Sequence, residues 1–70
     1  MTNTDKHLAR TIINGNVIST VKLYGSTYET MVFAADADGT VTDWHEKDCQ
    51  QYRTASSALE GHQRMVDLWS

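Results

Sequence analysis

The residues best suited to chemistry gather in "DWHEKDC", which holds Asp43, His45, Glu46, Asp48 and Cys49. Carboxylates, an imidazole and a thiol are the side chains that hold transition metals, and on a strand Asp43 and His45 share a face with Lys47 and Cys49. No structural-zinc spacing is present, so the stretch reads as a charged strand or loop that discourages edge pairing. "DADGT" begins as a calcium loop does, with Asp36 and Asp38 two apart and a glycine soon after. The match fails at the sixth and twelfth positions, where Val41 and Lys47 replace the glycine and glutamate of an EF-hand, and a hairpin turn is the better reading. Cys49 and the Ser and Thr hydroxyls have no nucleophile elbow around them, and no Gly-rich phosphate cradle appears. The expectation is a protein that is not an enzyme and needs no metal or cofactor.

Binding chemistry is better represented. Tyr24, Tyr28, Trp44 and Tyr52 offer rings for stacking, and Arg53 and Arg64 offer guanidinium forks, a combination suited to a nucleotide phosphate and base. The other unusual pair is Gly61-His62, inside the helix-forming "SSALEGHQRMVDLWS". Glycine costs about 1 kcal/mol relative to alanine in a helix, and close approach of another group is a physical reason to keep it. His62 falls among apolar neighbours, where an imidazole is most simply a packed ring hydrogen-bonded to the sheet. Gly61 and His62 are therefore taken as structural.

These residues require elements to position them. Residues 1–9 are polar and aperiodic and read as a flexible lead-in to a single domain over 10–70. Asn14-Gly15 is a hairpin signal, because both central residues of a type I′ turn need positive φ, and it pairs a short strand near 10–13 with one near 16–24. "YGST" turns the chain into "YETMVFAA" (28–35), rich in aromatic and β-branched residues, and "DADG" turns it into a long segment over 40–52, irregular around 46–49. Ala55, Ala58, Leu59, His62, Met65, Val66 and Trp69 then recur at helical spacing. Thr54 is the expected N-cap, with a Ser57/Glu60 capping box as the alternative, and Glu60 and Arg64 are spaced as an i,i+4 ion pair. The fold class is α+β: an antiparallel β-meander of three to four strands and one C-terminal helix packed on one sheet face.

Composition bounds the rest. A chain of 70 residues buries only ~60% of its unfolded surface. With one cysteine it has no internal disulfide to reinforce a thin core. Apolar residues point to both faces of the strands: Tyr28 and Val32 oppose Met31 and Phe33, and Val17, Val21 and Leu23 oppose Ile18 and Tyr24. Val41 and Trp44 also disagree in parity unless a bulge intervenes. One helix covers one face, so a homo-oligomer through the other is expected; the alternative cover is the N-terminal stretch folding back. Six Lys plus Arg against nine Asp plus Glu, a net charge of -3, argue against direct nucleic-acid binding, and no apolar run suits a membrane span.

Three segments, "RTIINGNVISTV", "YETMVF" and "YRTASSALEGHQRMV", resemble in that order a group of short uncharacterised bacteriophage and prophage proteins, and "DWHEKDCQQY" is similar to a variant stretch of the same group. Many members have a longer Gly- and Pro-rich loop before the "ETMVF" strand, where this chain has "YGST". The resemblance implies phage origin and a cytoplasmic location in an infected bacterial host. It implies no mechanism. The functional expectation is stoichiometric binding that antagonises host antiviral defence by sequestering a nucleotide signal in an oligomer. The alternatives are an acidic protein-protein inhibitor of a host nuclease or polymerase, and a minor virion-assembly factor.

Overall fold

The computed structural model describes residues 7–70. Four strands, β1 (His7–Ile13), β2 (Asn16–Lys22), β3 (Tyr28–Ala35) and β4 (Val41–Tyr52), form one antiparallel sheet in chain order, and α1 (Ala55–Trp69) follows. The chain is thus an α+β meander with one helix on its inner face.

The first hairpin turns at Asn14 and Gly15, whose φ of 53° and 77° are the positive values this tight turn demands. β1 starts at His7, three residues before the strand expected near 10–13, because β2 continues far enough to pair His7 with Val21 across a bulge. Residues 7–9 of the expected lead-in therefore belong to the sheet, and residues 1–6 lie outside the described residues. β2 stops at Lys22, short of 24, where Leu23 N donates to Thr27 O at 2.8 Å and closes the turn.

β4 is irregular, but earlier than the expected 46–49: the register breaks between Val41 and Asp48, while Asp48 and Cys49 pair regularly with Val32 and Met31. Val32 faces Asp48 and Ala34 faces Asp43, so Phe33 alone stands against residues 44–47. A second shift separates Ala34 from Ala35, which faces Val41. These shifts remove the parity conflict between Val41 and Trp44. They also let consecutive residues reach the end of the helix: Lys47 Nζ donates to Asn16 Oδ1 and sits 5.6 Å from the Trp69 ring centroid, while Trp69 Nε1 donates to Asp48 Oδ2 at 3.4 Å. A cation near the helix C-terminus is also favourable toward the helix dipole.

α1 is capped by Thr54, whose backbone is extended and whose Oγ1 accepts from Ser57 N at 3.0 Å. Ser57 turns its own hydroxyl back to Thr54 O, so the Ser57/Glu60 alternative is not used. The expected Glu60–Arg64 ion pair does not form: among the described residues the ion pair present is Asp43–His45, and on α1 Gln63 donates to Asp67 at 3.1 Å instead. Two long exposed side chains gain too little from pairing in water to fix their geometry.

The inner core is Ile18, Val32 and Met65, flanked by Ile13, Val66 and Trp69. Ala58, Gly61 and His62 are buried against it, whereas Leu59 is 48% exposed. The buried stripe is thus turned toward Gly61 relative to the expected one. Gly61 explains the turn: a Cβ there would coincide with the Tyr52 phenol, which lies across the helix backbone at this point. We therefore expect Gly61→Ala to destabilise the fold by about 1–3 kcal/mol by overpacking, although alanine favours the helix by ~1 kcal/mol. In a Tyr52→Ala background the same change should become neutral or stabilising. Urea unfolding of the four chains checks this, and an unconditional gain from Gly61→Ala would contradict the contact.

Candidate functional site

Three arrangements are candidates for function: a polar chain in the core, the outer sheet face, and a groove between α1 and β4. The core chain begins at His62. Its Nδ1 lies 2.7 Å from Thr20 Oγ1 and its Nε2 lies 2.8 Å from Thr11 Oγ1, while Thr20 Oγ1 lies 2.6 Å from Thr30 Oγ1. One helical ring is thereby tied to β1, β2 and β3. Hydroxyls both donate and accept, so either neutral tautomer completes the chain. Among the described residues, no buried side-chain nitrogen or oxygen lacks a partner. His62 is 6% exposed, and burial holds its pKa below the ordinary 6.5. Thr11 and Thr20 occupy both ring nitrogens, which leaves neither free for substrate and makes the ring a structural tie.

On the outer face, Val17, Val21, Met31, Phe33 and Val41 accompany Trp44. The turn after β3 covers one corner: Arg10 Nη2 donates to Gly39 O at 2.7 Å, and Gly39, with φ 89°, lies too close to Ile12 for any side chain. Val17 is only 1% exposed. The rest of the face is not closed. Phe33 and Trp44 meet edge to face with centroids 5.3 Å apart, and Trp44 remains 73% exposed. A shallow hollow of about 150 Å³ lies between Arg10, Ser19, Phe33, Val41 and Trp44.

The groove, of about 390 Å³, is bounded by Asp48, Gln50 and Tyr52 from β4 and by Gly61, Arg64 and Leu68 from α1. It contains a ring, a guanidinium and a carboxylate, enough for a polar contact, and it is open to solvent.

The six expected ligand residues are therefore not one site within a single chain. Tyr52 and Arg64 share the groove, and Tyr28 is the cross-strand neighbour of Tyr52. Arg53 is exposed between β4 and α1, Trp44 is on the opposite sheet face, and Tyr24 is 96% exposed in the turn after β2. Trp44 is dispersed by the register, since it is in the shifted part of β4, whereas Tyr24 is in the turn at the Tyr28–Tyr52 end of the sheet with its side chain in solvent. The structure also makes important residues that carry no motif, namely Thr11, Thr20 and Thr30. Their signal in the sequence is faint: in β2 and β3, threonines at inward parity with Ile18 and Val32 imply a buried polar partner.

"DWHEKDC" divides as well. Asp43 Oδ1 accepts from the His45 backbone and lies 3.1 Å from His45 Nδ1, with both side chains largely in water. Cys49 instead points toward Glu29, 3.5 Å from Oε2. Loss of hydration, then the Glu29 hydrogen bond and neighbouring carboxylates, push its pKa up to about 11. No three His, Cys, Asp or Glu side chains converge on a metal-sized site among the described residues.

No family model, curated protein or solved structure matches the chain.

Two outcomes follow from these environments. The depressed His62 pKa means that the unfolded chain binds the proton more readily, so its contribution to stability is complete above pH 6.5 and declines as the pH falls from there to the folded value. His62→Leu should be less stable at neutral pH and should lose that part of the slope in urea midpoints; an unchanged slope would contradict the assignment. The Cys49 thiol should alkylate far more slowly at neutral pH than an unhindered cysteine, since so little is thiolate, and Glu29→Gln should accelerate it. Equal rates in a thiol-labelling assay would contradict the environment described.

Proposed function

We propose that this chain is a non-enzymatic phage-type accessory protein that acts by stoichiometric binding as a homo-oligomer in the bacterial cytoplasm. The observation that carries this reading is the outer sheet face, where Phe33 supports a Trp44 left 73% exposed. Burying a large apolar side chain contributes about 1.5–3 kcal/mol, a substantial sum for a 70-residue core. A second copy laid on the same face supplies that cover symmetrically. The resemblance to short phage proteins supports the accessory role.

The binding target in this reading is a nucleotide signal of host defence, held between copies. Tyr52 and Arg64 supply stacking and charge from one groove, and the open side of that groove leaves a second copy to complete the enclosure. No helix among the described residues is long and apolar enough to cross a membrane. A second reading, inhibition of a host nuclease or polymerase, draws on the exposed carboxylates Asp36, Asp38, Asp43 and Glu46, clustered along the turn and the irregular part of β4. It predicts capture of a basic partner that weakens with salt.

Light scattering over a concentration series tests self-association. The wild-type chain should exceed the monomer mass, and Trp44→Glu should lower that mass with the circular dichroism unchanged. A folded monomer at every concentration would contradict the reading. Calorimetry with cyclic and ADP-ribose nucleotides tests the ligand: heat that disappears in Arg64→Ala supports sequestration, and no heat with any of them removes it.

A further inference from the structure

The order of side chains along the groove between α1 and β4 is fixed by its two ends. At one, Gly61 rests on the Tyr52 phenol; at the other, Trp69 Nε1 donates to Asp48 Oδ2 at 3.4 Å. From Gly61 to Leu68 the helix advances about 10 Å, and from Tyr52 to Asp48 the strand advances about 13 Å, so the two rows keep step. Arg64 and Met65 therefore stand beside Gln50, and Leu68 stands beside Asp48. A ligand lying along the groove meets a ring, then a guanidinium with an amide, then a carboxylate with an apolar side chain.

The charges are sparse and set apart. Arg64 is the cation that lines the groove, and among the described residues no carboxylate pairs with it. Asp48 is the anion, and its oxygens are already aimed: Oδ1 accepts from the Cys49 backbone N at 2.9 Å and Oδ2 accepts from Trp69. A carboxylate oxygen accepts more than one hydrogen bond, so lone pairs remain for a ligand's donors. A single guanidinium fork matches one phosphate. Past it, the carboxylate repels a second phosphate and accepts from hydroxyls, the chemistry by which an acidic side chain holds a ribose.

We propose that the groove takes a phosphate-bridged ribonucleotide: a base on Tyr52, the bridging phosphate on Arg64 and Gln50, and the hydroxyls of the ribose beyond that phosphate on Asp48. Gln50 and Asp48 are roughly 7 Å apart along the strand, room for a phosphate and the next sugar, and Leu68 lies against the sugar carbons. Asp48 is then the specificity residue. It selects ribose over deoxyribose, and a phosphate followed by a sugar over one followed by more phosphates. This inference rests on the nucleotide-sequestering reading and deepens it, since cyclic dinucleotides and ADP-ribose have a sugar on each side of their phosphates and ATP does not.

Calorimetry on the full chain tests it, with cyclic di-AMP, cyclic di-GMP and ADP-ribose, the deoxyribose counterpart of each, and ATP. A ribose form should bind, and its deoxyribose counterpart should bind about tenfold or more weakly, the loss of a hydrogen bond to a charged group. Asp48→Asn should narrow that gap and strengthen ATP binding, because a repelling charge is gone; a merely structural Asp48 would weaken all the nucleotides alike. Should Asp48→Asn fail to fold, the comparison of ribose with deoxyribose on the wild-type chain decides alone. Ribose and deoxyribose forms that bind equally, or a gap that a folded Asp48→Asn chain leaves unchanged, would overturn the inference while sequestration stands. No heat with any of the nucleotides removes sequestration and this inference together.

Discussion

The structure depends on one buried ring. His62 is an ionisable side chain carried by the helix into a core otherwise built from Ile18, Val32 and Met65, and it is tolerated there because Thr11, Thr20 and Thr30 complete its hydrogen bonds. Each such bond is worth only about 1 kcal/mol net, but leaving a buried polar group unpaired costs about 1–3 kcal/mol. That penalty makes the arrangement selective: a rotation or slide of α1 that strands the imidazole loses more than an apolar side chain would. Direct bonds to β1 and β2, and the relay through Thr20 to β3, therefore place the helix along and around its axis.

With His62 placed, its neighbours follow. Gly61 comes against Tyr52, where only a missing side chain leaves room for the phenol, and Trp69 comes down beside Lys47 and Asp48. β4 loses its regular register over 43–48, and the same residues hold the C-terminal end of the helix. A helix committed to the inner face leaves two surfaces without helical cover. One is the outer face, where the turn at Gly39 packs on Ile12 while Trp44 stays 73% exposed; the other is the edge of β4 beside Arg64. The proposed binding function belongs to these two surfaces, and the polar chain in the core belongs to folding.

Local signals were legible in the sequence and long-range ones were not. Asn14-Gly15 announces its hairpin because a positive φ at both positions is a property of two adjacent residues, and Thr54 announces its cap for a similar reason. The alternation in β3 and the spacing from Ala58 to Trp69 carry the strand and the helix. Gly61-His62 could be read as a packing pair, but not its partners, since Tyr52 and three threonines are joined to it only by tertiary structure. The start of β1 is not legible because His7-Leu8-Ala9 has no strand alternation of its own, and pairing with β2 across a bulge recruits it. The six aromatic and cationic candidates look like a set in one dimension; folding leaves Tyr52 and Arg64 together and sends Trp44 to the other side of the sheet. Nothing in residue type distinguishes those destinations without the register of β4.

If the His62 chain joins the helix to the sheet as one cooperative unit, native-state hydrogen exchange should show it. The slowest amides of α1, around 62–66, should open with the same free energy as those of β2 and β3, and His62→Leu should let the helix open first. Helix amides that already exchange in wild-type protein through a separate opening of lower free energy, with the sheet still protected, would contradict the account.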